Sequence, residues 1–310
     1  MAPGCDNVAW GGVEVRWEPP AAAAPGTPAD VPVAEPTEEL PPPEVARPLL
    51  LAGSHEGARA TLVVVGEIRP EGVAPATATS SAALAEGSEW ILFAEGVRIG
   101  RLTADQTGVA SEFCPGTATL SGTLELVPGV SAVERLLALP AAEGRGAPYG
   151  ELRPLTHDYD QRVASLTFAQ EAIPRLGAPW PEGGVLPTRQ DIQVFRPMGT
   201  DQPTLAATYL VRDQLTIGPA ASGAYALFIL SSPRAGEYRE TFEWYHSADS
   251  GGKRAPRYFS HLDWDGDGAG EIVLDVFGSD RRWHAVLEPR ENGWTRTFES
   301  SCATAGSAAR

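Results

Sequence analysis

From residue 49 onward the chain is a succession of short apolar or alternating segments broken by turn residues, and this pattern limits the fold more than any other feature. Residues 208–211, 224–230, 238–245, 271–277, 283–287 and 294–298 follow one another across short turns. Segments of this length with β-branched and aromatic content read as strands, and regular spacing predicts an antiparallel meander. Upstream, residues 60–65 read as a buried strand. Residues 90–93 and 97–102 flank Glu95-Gly96 as a hairpin, and 117–127 alternates as a further strand. This first β region ends near Pro140. The expected fold class is therefore mainly β, with antiparallel sandwich- or barrel-like regions, one short helix and a Pro-rich N-terminal tether.

The helix is expected between the two β regions. Asp158 or Asp160 caps a segment running through 161–169, in which Val163, Leu166, Ala169 and Ile173 fall at helical spacing. Pro174 and Gly177 end it. His157 beside these aspartates reads as part of the cap rather than as an acid–base group. The resulting organisation is an N-terminal arm (1–18), an extended linker (19–48), a first β domain (49–145), a connector with the helix (146–190) and a C-terminal β domain (191–310).

Ten of the thirty residues 19–48 are proline. Such a segment stays extended, and at ~3.1 Å per residue it reaches up to ~90 Å. Ahead of it, Val13, Val15 and Trp17 alternate with Glu14 and Arg16, and Trp10 adds a second indole. This is either a docking arm, adding a strand to a partner or resting on lipid, or a segment packed on its own body.

Charge narrows the partners. Asp and Glu number 40 against 24 Lys and Arg, a net charge of −16. That balance repels phosphate backbones, so no nucleic-acid partner is expected, and favours divalent cations and basic protein surfaces. No run of 18 apolar residues occurs, so no transmembrane helix is expected.

Residues 263–274 carry the most specific chemical signal. Asp263, Asp265 and Asp267 alternate, so a tight loop turns three carboxylates inward, and Gly268 permits the sharp turn. Ala269 is placed to offer its carbonyl, and Glu271, ninth in the loop, closes the shell. Hard oxygen ligands in this number suit calcium. An EF-hand has a bidentate Glu at its twelfth position and a helix after it; here the twelfth position is Leu274 and a strand follows. The arrangement resembles the Asp-x-Asp-x-Asp-Gly-x-x-Asp/Glu loops of FG-GAP and VCBS-type modules. That resemblance, over about fifteen residues, implies calcium held between two strands.

A second resemblance lies at the N-terminus. Gly4-Cys5, followed by polar residues and the Pro-rich stretch, is similar to the cleavage region of bacterial lipoproteins, with Pro3 departing from the usual pattern and no apolar h-region ahead. The resemblance implies a lipidated Cys5. In that case Cys114 and Cys302 are left as one pair, and an oxidising compartment lets them close as a disulfide; otherwise they are two thiols.

No nucleophile elbow, phosphate loop, dinucleotide fingerprint or zinc-protease motif is present, and the five His are scattered. His261 is expected to pack beside Trp264. Trp283, Ala285 and Leu287 share one strand face and read as core. The functional expectation is an exported, non-catalytic scaffold or binding protein of the cell envelope, periplasmic or at the cell surface. It would be tethered to a membrane through its N-terminus, serve as an extrinsic subunit of a larger membrane complex, and hold calcium structurally. The alternative is a secreted hydrolase or carbohydrate-binding protein with a structural calcium site.

Overall fold

Fifteen strands and three helices follow the chain in the computed structural model, which describes residues 46–130, 132–144 and 152–300. Cys5, the arm with Trp10, Val13, Val15 and Trp17, the linker up to residue 45 and Cys302 lie outside the described residues. The first seven strands are β1 (Leu49–Glu56), β2 (Arg59–Arg69), β3 (Gly72–Ala74), β4 (Glu89–Ala94), β5 (Val97–Val109), β6 (Ala118–Leu126) and β7 (Arg135–Pro140). They pair antiparallel in the order β1-β7-β4-β5-β6-β2, and β1 also pairs with β2, which closes a six-stranded barrel; β3 hangs on β2. Short helices α1 (Ala78–Ser81) and α2 (Ala141–Gly144) border it.

Closure removes the sheet edges but forces close backbone approaches. Gly122 sits where any side chain would strike the Thr103 backbone, beside a bulge between Ala104 and Gln106. A residue without Cβ lets the strand bend there. Inside, Leu49, Leu51, Leu62, Trp90, Leu92, Leu102, Leu120 and Leu136 fill the barrel.

After α3 (Tyr159–Arg175) come two four-stranded antiparallel meanders. The first contains β8 (Arg189–Phe195), β9 (Thr204–Val211), β10 (Tyr225–Arg234) and β11 (Glu237–Ser247). The second contains β12 (Ala255–Leu262), β13 (Glu271–Phe277), β14 (Arg282–Arg290) and β15 (Gly293–Glu299). The meander expectation holds, and Trp283, Ala285 and Leu287 are core as read from the sequence.

The pieces stack in four layers. Ala169, Ala172 and Ile173 of α3 pack on Tyr209, Leu227 and Ile229 of the first meander. The opposite face of that meander, through Phe195, Phe228 and Leu230, meets Ile272, Leu274, Val276 and Leu287 of the second. The other face of the second meander places Phe259, Val273, Val286 and Phe298 against the barrel wall at Leu50, Ile91, Phe93 and Leu137. β13 therefore lies between two cores, and all seven of its residues are buried. A Leu274→Ala truncation there leaves a cavity costing ~2–5 kcal/mol.

The helix begins where the sequence places it. Asp158 caps it by accepting from the Gln161 N–H at 2.8 Å, and the Gln161 side chain accepts from the Asp158 N–H at 2.9 Å. Two of the four positions expected to face the core, Ala169 and Ile173, are fully buried, while Leu166 packs at its margin and Val163 stays 43 % exposed. The buried stripe is narrow: Ala169, Ala172 and Ile173 meet the sheet.

Candidate metal-binding loop

β12 and β13 are joined by a loop whose backbone organises its own carboxylates. Asp263 accepts from the Gly266 N–H at 2.7 Å and, with its other oxygen, from the Gly268 N–H at 3.0 Å. Asp265 accepts from the Asp267 N–H at 3.1 Å, and Asp267 from the Ala269 N–H at 2.8 Å. These bonds curl the chain into successive tight turns, which Gly266 (φ 78°) and Gly268 (φ 91°) accommodate in the left-handed region. One carboxylate oxygen from each of Asp263, Asp265 and Asp267 falls within 4.8 Å of the others.

Glu271, the first residue of β13, is buried, and its carboxylate turns back to accept from the Trp264 N–H at 3.3 Å. Burial, then the charge of Asp265, pushes the Glu271 carboxyl up to about 8. Asp265 is raised as well, by desolvation and by the carboxylates of Asp267 and Asp263. The aspartates' negative charge meets backbone N–H groups within the loop. The chemistry fits a hard dication: three aspartates converge, and Glu271 stands close enough to feel two of them. Ala269 lies in the loop with its N–H turned to Asp267.

The loop is braced from outside. The β8–β9 connection lies against it, with Gly199 so close to the Gly268 carbonyl that a side chain at 199 would collide. The Gly270 N–H reaches the Met198 carbonyl at 3.4 Å. Two sheets thus meet at this loop, a feature no local motif reveals.

His261 lies 5.2 Å from the Phe195 ring and 2.7 Å from the Tyr258 hydroxyl, and Trp264 packs on the core between second meander and barrel. Cys114 is buried at the edge of the core between the two meanders, with its sulfur 3.1 Å from the Ser300 hydroxyl, two residues before Cys302.

Two polar constellations escaped the sequence reading. One is Lys253, buried in an oxygen cage. The other joins Glu95, Tyr258 and His261 beside a cavity. The signals available were faint: Lys253 lies in a Gly-Gly-Lys-Arg stretch that reads as a solvated turn, and Glu95 occupies a turn position usually held by Asn or Asp. No helix among the described residues is long and apolar enough to cross a membrane. Compared with protein-family models, curated proteins and solved structures, the chain matches none.

Proposed function

We propose that this chain is a non-catalytic binding or scaffold protein of the cell envelope in which calcium bound by Asp263, Asp265, Asp267, Ala269 and Glu271 stiffens the junction between the two meanders. The supporting observation is the convergence of three carboxylates within 4.8 Å in a loop that a neighbouring sheet holds in place. A dication there relieves the repulsion among them and ties β12 to β13. The role is structural: the loop ends in β13, whose remaining residues are packed on both faces.

The remainder of the reading rests on the sequence. Lipidation at Cys5 holds the chain to a membrane, residues 19–48 act as a spacer, and Trp10, Val13, Val15 and Trp17 dock on a protein partner in a membrane complex. The protein is exported to the periplasm or cell surface, where a Cys114–Cys302 disulfide closes. The contact between Cys114 and Ser300 supports that pairing, because it brings the chain within two residues of Cys302.

Detergent extraction of native membranes followed by affinity capture of the full chain tests the assignment. A single stoichiometric membrane partner and a diacylglyceryl mass on Cys5 are expected. A native chain that is unmodified at Cys5 and released entirely by osmotic shock overturns the tether. Non-reducing mass spectrometry tests the disulfide, and quantitative alkylation of both Cys114 and Cys302 in protein isolated without reductant rules it out.

A further inference from the structure

The tip of the β4–β5 hairpin does more than reverse the chain. Ala94 pairs with Val97, so Glu95 and Gly96 form a two-residue turn with φ of 48° and 73°. Such turns favour Asn-Gly or Asp-Gly, whose short side chains tolerate the left-handed region. Glutamate has no such advantage, so its longer side chain points to a use for the carboxylate itself.

The tip is clamped to β12. The Glu95 N–H donates to the Ser260 hydroxyl at 3.2 Å, and the Gly96 N–H to the His261 carbonyl at 2.9 Å. The Glu95 carboxylate accepts from the Tyr258 hydroxyl at 2.7 Å, and that hydroxyl lies 2.7 Å from His261 Nδ1. The His261 ring also bonds the Arg196 backbone carbonyl. Phe195 stacks on Tyr258 at 4.2 Å. Tyr258 and His261 are each 2 % exposed, so the floor of the site is rigid, while the Glu95 side chain keeps 35 % of its surface open.

That open surface faces a cavity of about 310 Å³ between barrel, both meanders and residues 152–155. Leu152, Leu155, Val97 and Phe195 give it apolar walls, and Arg153 and Arg196 line it as well. Arg196 is exposed. Glu95 is partnered by a phenol hydroxyl and an imidazole rather than by a lysine or arginine among the described residues. A carboxylate so placed favours a cationic or strongly donating group. The guanidinium of Arg196 favours a carboxylate.

We propose that this cleft binds a small zwitterion with an apolar body, an apolar amino acid or a dipeptide, whose ammonium group meets Glu95 and whose carboxylate meets Arg196. The volume lies at the low end for ligand sites and suits a small molecule. The floor is built before the ligand arrives, since Tyr258, His261 and Ser260 already fix the hairpin tip; binding then requires little ordering. Burial holds the Glu95 carboxyl up at about 7, against the Tyr258 hydrogen bond and the charge of Arg135, in keeping with a carboxylate that lacks a close cation. The proposed ligand contacts, Glu95 and Arg196, are not among the residues assigned to calcium or to the membrane tether.

Isothermal titration of the full chain with leucyl-glycine tests the proposal. Binding with a Kd below about 1 mM is expected. N-acetyl-leucyl-glycine, which lacks the ammonium group, and leucyl-glycinamide, which lacks the carboxylate, should each bind at least about tenfold more weakly. Glu95→Gln should lose the discrimination against the acetylated peptide, and Arg196→Ala the discrimination against the amide. Arg196 is exposed, so its variant carries the test even where Glu95→Gln disturbs the hairpin. Absence of binding by leucyl-glycine, or equal binding of all three peptides by the wild type, overturns the assignment.

Discussion

Two loops of the C-terminal half gather oxygen atoms at close range, and they differ in where the positive charge comes from. In the first, Lys253 Nζ donates to Asp213 Oδ1 at 2.7 Å, to the Gln214 carbonyl at 2.6 Å and to the Thr216 carbonyl at 2.7 Å. Lys253 is only 4 % exposed, and all three donors of its ammonium group are used. In the second, Asp263, Asp265, Asp267 and Glu271 bring four carboxylates into nine residues. No lysine or arginine among the described residues forms a salt bridge to any of the four. The first loop carries its cation covalently, and its closure is independent of the medium. The second has no such internal cation, and the calcium proposed above would come from solution. A single –NH₃⁺ satisfies three acceptors, whereas the proposed calcium would take six to eight oxygen ligands.

The largest effect is expected from breaking the first loop. Lys253→Met leaves Asp213 buried and unpaired beside two carbonyls, which should cost ~3–5 kcal/mol in chemical denaturation. The loss should be the same in calcium and in chelator. A change under ~1 kcal/mol would show that the cage is not held by its charge.

A buried imidazole sharpens the contrast. His284 is 3 % exposed, lies among Phe113 and Phe259, and has Asp275 at 3.5 Å without an oxygen cage. Burial, assisted by Arg282 and opposed by Asp275, lowers its pKa from 6.5 to about 4. The unfolded chain therefore binds more protons between about pH 6.5 and 4. The stability from a neutral His284 is full above 6.5 and is lost as the pH falls towards 4, on the order of 3 kcal/mol across the window. His284→Phe should flatten this part of a stability–pH curve measured by urea unfolding. An unchanged slope would mean that the ring becomes charged inside the fold.

Calcium comes next. Binding to the folded state alone adds about 2.7 kcal/mol at a hundredfold excess over Kd. Calcium should therefore raise the melting temperature relative to chelator, and Asp265→Ala should abolish the difference. In chelator the variant should equal or exceed the wild type, since one repelling carboxylate is gone. Four superimposable melting curves would reduce the loop to an acidic turn. The smallest change is expected at a site that uses only a hydrogen bond: Asp158→Ala removes the helix cap for ~1 kcal/mol in denaturant, with no response to calcium.

The strand pattern is legible in two forms: alternation where one face meets a polar layer, as in 97–102 and 117–127, and a bounded apolar run where both faces are buried, as in 271–277. β1 and β7 are absent from that pattern, and the stacking of the barrel on the second meander buries their outer faces. β8 was missed for its polar content and β12 for its proline and a bulge at Tyr258 and Ser260. The convergence of Asp263, Asp265 and Asp267 was legible, since the three lie within five consecutive residues and turn geometry brings them together locally. The Lys253 cage spans 40 residues, and the Glu95–Tyr258–His261 cluster spans more than 160. Neither has a local pattern to read. The strand-rich class, the capped helix and the acidic loop follow from local sequence, because short-range sterics and hydrogen bonds suffice for these. Barrel closure, the four-layer stack and the cleft at Glu95 were decided by tertiary packing, because each depends on which apolar faces find one another across the chain.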